Sequence, residues 1–339
     1  MHAARLWRHK DNQSVQCRLC SHYCRLDPGE FGFCGVRANQ DGQLMTLVYD
    51  AVAAMNVDPI EKKPLYHFLP GSQSFSIGTM GCNLSCEFCQ NDTLSQTPKQ
   101  THRVQGETVA PERIVAAAQR YRAASISYTY SEPTIFFELI QDTAALARKQ
   151  GLKNVLVTNG FMSPDCLQEL GPLVDAANVD LKAFTDEFYS TFCGARLKPV
   201  LQNLKHIRDL GWWLEVTTLI IPGLNDDPGE LRELADFIVT ELGPGTPWHI
   251  SRFHPAYHML DRPPTPVQTL EEAFQTGLDA GLKFVYLGNV PGHASSSTRC
   301  PGCGRTVIDR HGFSMGANSL DQGACSFCGA AIPGVWSAD

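Results

Sequence analysis

The sequence predicts an α/β fold, a partial or full (βα) barrel with small cysteine-rich metal-binding segments at its N- and C-terminal ends. Three observations predict it. Between residues 74 and 290, short apolar or β-branched runs alternate with longer stretches of helical period, the pattern of repeated βα units around a parallel sheet. The candidate functional residues fall at or just after the ends of those runs, where such barrels carry their working groups. Finally, all of the 13 cysteines except Cys166 and Cys193 gather into three tight groups, one ahead of the barrel, one inside it and one behind it.

Strands are expected at 74–80, 125–130, 154–159, 178–183, 214–221, 248–254 and 284–287, with helices filling the gaps. Ile114, Val115, Ala118 and Tyr121 stand at helical spacing, as do Phe136, Ile140 and Ala144, and Pro111 and Pro133 sit where a first helical turn tolerates proline. With 339 residues, the chain divides into a cysteine-bearing lead-in at 1–73, a barrel at 74–298 and a Gly-rich tail at 299–339. Neither flank has enough apolar residues to fold without a staple, and a metal can supply one.

Composition narrows the function class. Hydrophobic residues make up 43% and charged residues 19%, and no apolar run is long enough to cross a bilayer, so no membrane partner is expected. The amino end mixes Arg5, Arg8, His9, Lys10 and Asp11, unlike a secretory signal, which makes the cytoplasm the expected location. A net charge of -7 argues against a broad nucleic-acid surface. Without an export signal, so many cysteines read as metal ligands before disulfides.

The central group is the most specific. Cys82, Cys86 and Cys89 follow a strand with the spacing C-x3-C-x2-C, and Phe88 precedes the last thiol. Three thiolates hold three corners of a 4Fe-4S cubane and leave the fourth iron open to chelate a substrate; the plainer alternative is a zinc knuckle. The segment resembles the signature of the radical S-adenosylmethionine (SAM) superfamily. That resemblance implies SAM bound at the open iron, reductive cleavage to a 5'-deoxyadenosyl radical and hydrogen abstraction from a substrate. It also makes the fold a barrel of the radical SAM type, and it calls for an electron donor such as flavodoxin or ferredoxin.

Other strand ends resemble activating enzymes of the pyruvate formate-lyase type. Tyr130-Ser131-Glu132-Pro133 is similar to their Gly-Gly-Glu-Pro segment and implies that Glu132 meets the SAM amino group; the alternative is an acidic residue favoured by the following helix dipole. Thr158 and Asn159 match a Thr-Asn-Gly strand end, with Val157 where those enzymes carry a cation-holding aspartate. Asp180 and Lys182 match an Asp-x-Lys element near the SAM carboxylate, against a structural ion pair with another strand. His254 matches a late-strand histidine near the adenosine, against a histidine with only local partners.

The two flanking groups read as separate sites. Cys300, Cys303, Cys325 and Cys328 form two C-x2-C-G knuckles of zinc-ribbon or rubredoxin pattern, in which structural zinc is favoured over iron because the closed site needs no redox role. Cys17, Cys20, Cys24 and Cys34 are unevenly spaced and suit zinc or an auxiliary iron-sulfur cluster, with His22 able to replace one ligand. Cys166 and Cys193 lack sequence partners and read as buried or free thiols.

The whole chain resembles the AmmeMemoRadiSam-system radical SAM enzymes, relatives of pyruvate formate-lyase activating enzyme. The resemblance rests on the Cys-Arg-Leu-Cys-Ser-His-Tyr-Cys segment from Cys17, the run from Asp58 to Phe68, the run from Ser76 to Leu84, Gly288 to His293, and the closing knuckle. It implies Memo-like and AMMECR-type protein partners and leaves the substrate open. The charges from Asp58 to Lys63 and the turn Pro291-Gly292-His293 are candidate substrate contacts or solvated turns. The competing readings are a glycyl-radical-enzyme activase and a non-catalytic metal-binding scaffold.

Overall fold

Runs of β-branched and apolar residues bounded by Gly, Pro or Asn fold as buried parallel strands, and each expected strand is present. In the computed structural model, which describes residues 1–338, β1 (Ala51–Pro59) pairs antiparallel with β2 (Gln73–Thr79). From β2 the sheet continues in parallel and in chain order through β3 (Ser125–Tyr128), β4 (Lys153–Thr158), β5 (Ala176–Asp180), β6 (Trp213–Ile220), β7 (Trp248–Arg252) and β8 (Val285–Gly288). The sheet stays open. β8 bonds only to β7, while β1 occupies the edge of β2 that closure would need and carries the short strand Glu107–Thr108 on its far side. Of the two barrel forms the sequence allows, the chain adopts the partial one, and one of its strands comes from the cysteine-bearing lead-in.

The crossovers are α1 (Pro111–Arg120), α2 (Phe137–Lys149), α3 (Pro164–Leu170), α4 (Leu197–Asp209), α5 (Pro228–Phe237) and α6 (Val267–Ala280). Pro111, Pro164 and Pro228 each open a helix, where the missing amide hydrogen is not needed. Ser163 and Asp227 cap two of them by accepting from the amides of Cys166 (3.1 Å) and Glu230 (3.0 Å), contacts worth about 1 kcal/mol each. In α1, Ile114, Val115 and Ala118 are buried, but Tyr121 is 55% exposed. It lies at the C-cap, beyond the last turn, and so leaves the apolar face.

Both flanks dock through buried charge. Arg37 of the lead-in pairs with Glu138 of α2, both side chains 1% exposed. Removing either partner would strand a charge in the interior at about 3–5 kcal/mol. In the tail, strand Thr306–His311 sends Arg310 inward, where its guanidinium donates to the carbonyl of Tyr66 (2.6 Å) and to Thr298 Oγ1 (2.7 Å) and lies 3.6 Å from Glu61.

His67 marks the seam between tail and barrel. Its Nδ1 faces the Pro333 carbonyl at 2.8 Å, its Nε2 the Tyr286 hydroxyl at 2.6 Å, and Trp336 packs on its ring. Burial lowers its pKa from 6.5 to about 4. Between those values the unfolded chain binds the extra proton and the folded chain does not, so stability is lost as pH falls through this window. The loss should approach about 3 kcal/mol. Urea unfolding of wild type and H67Q across this range should show a steeper pH dependence in wild type; equal slopes would contradict it.

Candidate active site

After β2 the chain leaves the sheet, and Cys82, Cys86 and Cys89 lie on the loop that follows. Three separate segments pin its backbone. His22 of the lead-in bonds through Nε2 to the Asn83 carbonyl (2.7 Å), and Lys99 Nζ donates to the Leu84 carbonyl (2.5 Å) and Ser85 Oγ (2.7 Å). The carbonyls of Cys193 and Phe192 accept from the amides of Ser85 (2.8 Å) and Glu87 (3.0 Å). His22 therefore supports the cluster loop, with its ring against Phe33 and Phe161.

Burial pushes the thiols of Cys82 and Cys89 up, and Cys86 rises through its contact with Cys193 and through burial. They become thiolates when a cation sits among them. Their spacing bears on which cation. A single ion with metal-sulfur bonds of about 2.3 Å needs sulfurs about 3.8 Å apart. Among the described residues only Cys300, Cys303, Cys325 and Cys328 gather within 4.8 Å of one another. Their sulfurs approach at 3.5 Å (Cys300 to Cys328) and 3.8 Å (Cys303 to Cys325). Cys82, Cys86 and Cys89 are not all drawn to that single-ion spacing.

The four lead-in thiols are neighbours but are also not gathered to single-ion spacing. Cys24 and Cys34 flank Gly32, and Cys17 Sγ accepts from Arg37 at 3.4 Å. Zinc at that site, one of the two options left by the sequence, would require the thiols to draw together.

Glu132, at the turn after β3, is 3% exposed. Its Oε1 accepts from the amide (3.1 Å) and hydroxyl (2.5 Å) of Thr134 and from Thr158 Oγ1 (2.6 Å), and its Oε2 from the amide of Asn159 (2.8 Å). Burial raises its carboxyl pKa, while these four donors favour the charged form. Asn159 turns its Nδ2 to Asn83 Oδ1 (2.8 Å) and towards Cys82 Sγ (3.8 Å), joining the end of β4 to the cluster loop. Past the end of β5, Lys182 Nζ lies 3.0 Å from Asp180, so the pair forms within one strand end and not with a neighbouring strand. Burial pulls the Lys182 ammonium down, but Asp180 and the thiols of Cys86 and Cys193 hold it well above its usual value.

These groups converge on one cavity of about 1180 Å³, lined at one end by the three cysteines, Glu132, Thr158, Asn159, Asp180 and Lys182. Glu61, Lys62, Lys63 and the turn Pro291-Gly292-His293 line it too, together with Arg310 and His311 of the tail. His254 does not. It is exposed beyond the end of β7, and the same strand offers His249 and Ser251 to the cavity instead, because alternate residues face inward.

Sequence reasoning missed three groups. His249 bonds through Nε2 to Glu215 at 2.6 Å, and Glu215 also accepts from the amides of Tyr66 and His67 and from Trp213. Cys193, read as a single thiol, sits against Cys86. Tyr130 lines the cavity with its hydroxyl on Asp58. No signal in the linear sequence joins these partners, which lie on different strands and loops.

Residues 76–238 match the Radical SAM superfamily. The chain contains a radical SAM domain. It is 43% identical over 334 residues to an uncharacterized protein of Methanocaldococcus jannaschii, covering 98% of this chain and 99% of that one. It is also 25% identical over 166 residues to the Escherichia coli pyruvate formate-lyase 1-activating enzyme, a match spanning 46% of this chain and 65% of the enzyme. Among solved structures, Streptococcus suis SuiB bound to S-adenosylmethionine has a TM-score of 0.50 at 14% identity, covering 69% of this chain and 53% of SuiB, a likeness of fold. For a radical SAM enzyme, three thiols on one loop facing a cavity fit a 4Fe-4S cluster and SAM. None of the described helices is long and apolar enough to cross a membrane.

The tight C-terminal thiol group predicts one bound metal ion per chain at that site. C325S should contain one ion fewer than wild type by elemental analysis and should unfold at a lower temperature. An unchanged metal content would contradict the site.

Proposed function

We propose that this radical SAM enzyme cleaves S-adenosylmethionine reductively and uses the resulting radical to take hydrogen from a small molecule held in the same cavity. The observation that carries the reading is the convergence of the cluster loop, Glu132 and the Asp180–Lys182 pair on one end of a cavity whose other end is walled by the tail. When bound, the cluster and SAM would supply an electron and a 5'-deoxyadenosyl radical. Cys82, Cys86 and Cys89 would hold three irons. Glu132 is oriented by Thr134, Thr158 and Asn159 to receive an ammonium group, and Lys182 offers a cation to a carboxylate, so the zwitterionic end of SAM finds both charges answered.

The likeness to pyruvate formate-lyase 1-activating enzyme favours a second reading, activation of a glycyl-radical partner. Against it stand the cysteine-rich flanks, which a minimal activase does not need and one of which lines the cavity through Arg310 and His311. The sequence resemblance supports a place in the AmmeMemoRadiSam system with Memo-like and AMMECR-type partners. The sulfur spacing and closed ligand set support zinc in the tail. A flavodoxin or ferredoxin in the cytoplasm would supply the electron.

Anaerobic reconstitution with iron and sulfide, reduction with dithionite and chromatography of SAM products test the central reading. Wild type should release 5'-deoxyadenosine and methionine, and alanine at Cys82, Cys86 or Cys89 should abolish both. K182M should weaken SAM binding roughly tenfold, about 1.4 kcal/mol. Persistence of cleavage in the cysteine variants would sink the assignment.

A further inference from the structure

We propose that, when no substrate fills the cavity, Tyr130 gives a hydrogen atom to the 5'-deoxyadenosyl radical, a proposal that rests on the radical SAM reading above. Tyr130 lies two residues past the end of β3 and two ahead of Glu132, and its φ is +69°, in the left-handed region that side chains rarely adopt. Such strain persists where the surroundings over-determine the conformation, and it clusters at working sites. Here the surroundings are specific. The tyrosine packs over Gly78 of β2, where an added Cβ would come within 3.1 Å of Tyr130 Cβ and 3.2 Å of its Cδ2. The same Cβ would stand 2.6 Å from the Thr129 carbonyl oxygen, so a larger residue at Gly78 would force the Thr129–Tyr130 backbone to move.

The hydroxyl is held equally firmly. It donates to Asp58 Oδ2 at 2.5 Å and accepts from Asn56 Nδ2 at 3.1 Å. Asp58 is itself fixed by Lys62 (2.8 Å) and Lys63 (2.6 Å), and Lys63 Nζ lies 4.7 Å from the centre of the tyrosine ring. Burial and the Asp58 carboxylate push the phenol pKa to about 12, so it keeps its hydrogen at neutral pH and serves neither as base nor as phenolate. A protonated phenol on the wall of a radical cavity has one distinctive capacity, because its O–H bond is weaker than the C–H bond that an alkyl radical forms.

The step balances without a co-reactant. The phenolic O–H bond breaks homolytically, its hydrogen and one electron form a C–H bond at the radical carbon, and the other electron remains on Tyr130 as a neutral phenoxyl. Asp58 stays a carboxylate paired with its lysines, and Asn56 continues to donate to the phenoxyl oxygen. One electron from the low-potential donor that reduces the cluster, with one proton from water, restores the phenol.

The test needs no substrate. Reconstituted wild type is exchanged into deuterium oxide without added thiol, then reduced with dithionite in the presence of SAM, and the mass of the released 5'-deoxyadenosine is measured. Most of the product should carry one deuterium in wild type, and the labelled fraction should fall at least fivefold in Y130F. Freeze-quenched samples should show an organic radical by electron paramagnetic resonance (EPR), with hyperfine splitting that narrows when the protein contains ring-deuterated tyrosine; this check requires no substitution. Equal labelling in Y130F and wild type, or release of unlabelled 5'-deoxyadenosine by both, would overturn the proposal. Absence of 5'-deoxyadenosine from wild type with a reducible cluster would overturn the radical SAM reading beneath it.

Discussion

Glu132 is a carboxylate taken almost wholly out of water, and four donors from two chain segments surround it. An unpaired buried carboxylate would cost several kcal/mol, so the turn after β3 and the end of β4 are held to the geometry that supplies those donors. Asn159 extends the constraint, since its amide serves Glu132 while its side chain reaches Asn83 and Cys82. The positions of the cluster loop, the strand ends and the mouth of the cavity thus follow from the satisfaction of one buried charge.

The two flanks complete what the barrel begins. His22, Lys99 and the 189–193 turn give the thiol-bearing loop the rigidity that a helix or strand would give another site, while Arg310 and His311 wall the far side of the cavity. The tail is itself held by a tight thiol group at one end and by the buried Arg310 and His67 contacts at the other. Its metal site therefore bears on the shape of the cavity although no sulfur of the tail lines it.

Strand positions were legible because parallel buried strands leave continuous apolar runs between glycines and prolines. The strand Ala51–Pro59 was not. Its Ala-rich, half-buried edge carries little β signal, and its place in the sheet depends on pairing with β2. The three-thiol motif was legible because its spacing is local. The histidine facing the cavity was not, since choosing His249 over His254 requires knowing which way a strand is turned and that Glu215 of the adjacent strand reaches it. Cys193 and Tyr130 escaped for the same reason, their partners Cys86 and Asp58 being distant in the chain.

The account stands on the claim that Cys82, Cys86 and Cys89 hold a cluster with one iron open to SAM. EPR spectroscopy of the anaerobically reduced protein, recorded with and without SAM, tests it most directly. A reduced 4Fe-4S signal that changes shape when SAM is added, with both signal and change lost from the C86A variant, is the predicted result. A signal indifferent to SAM, or one that survives in C86A unchanged, would contradict it.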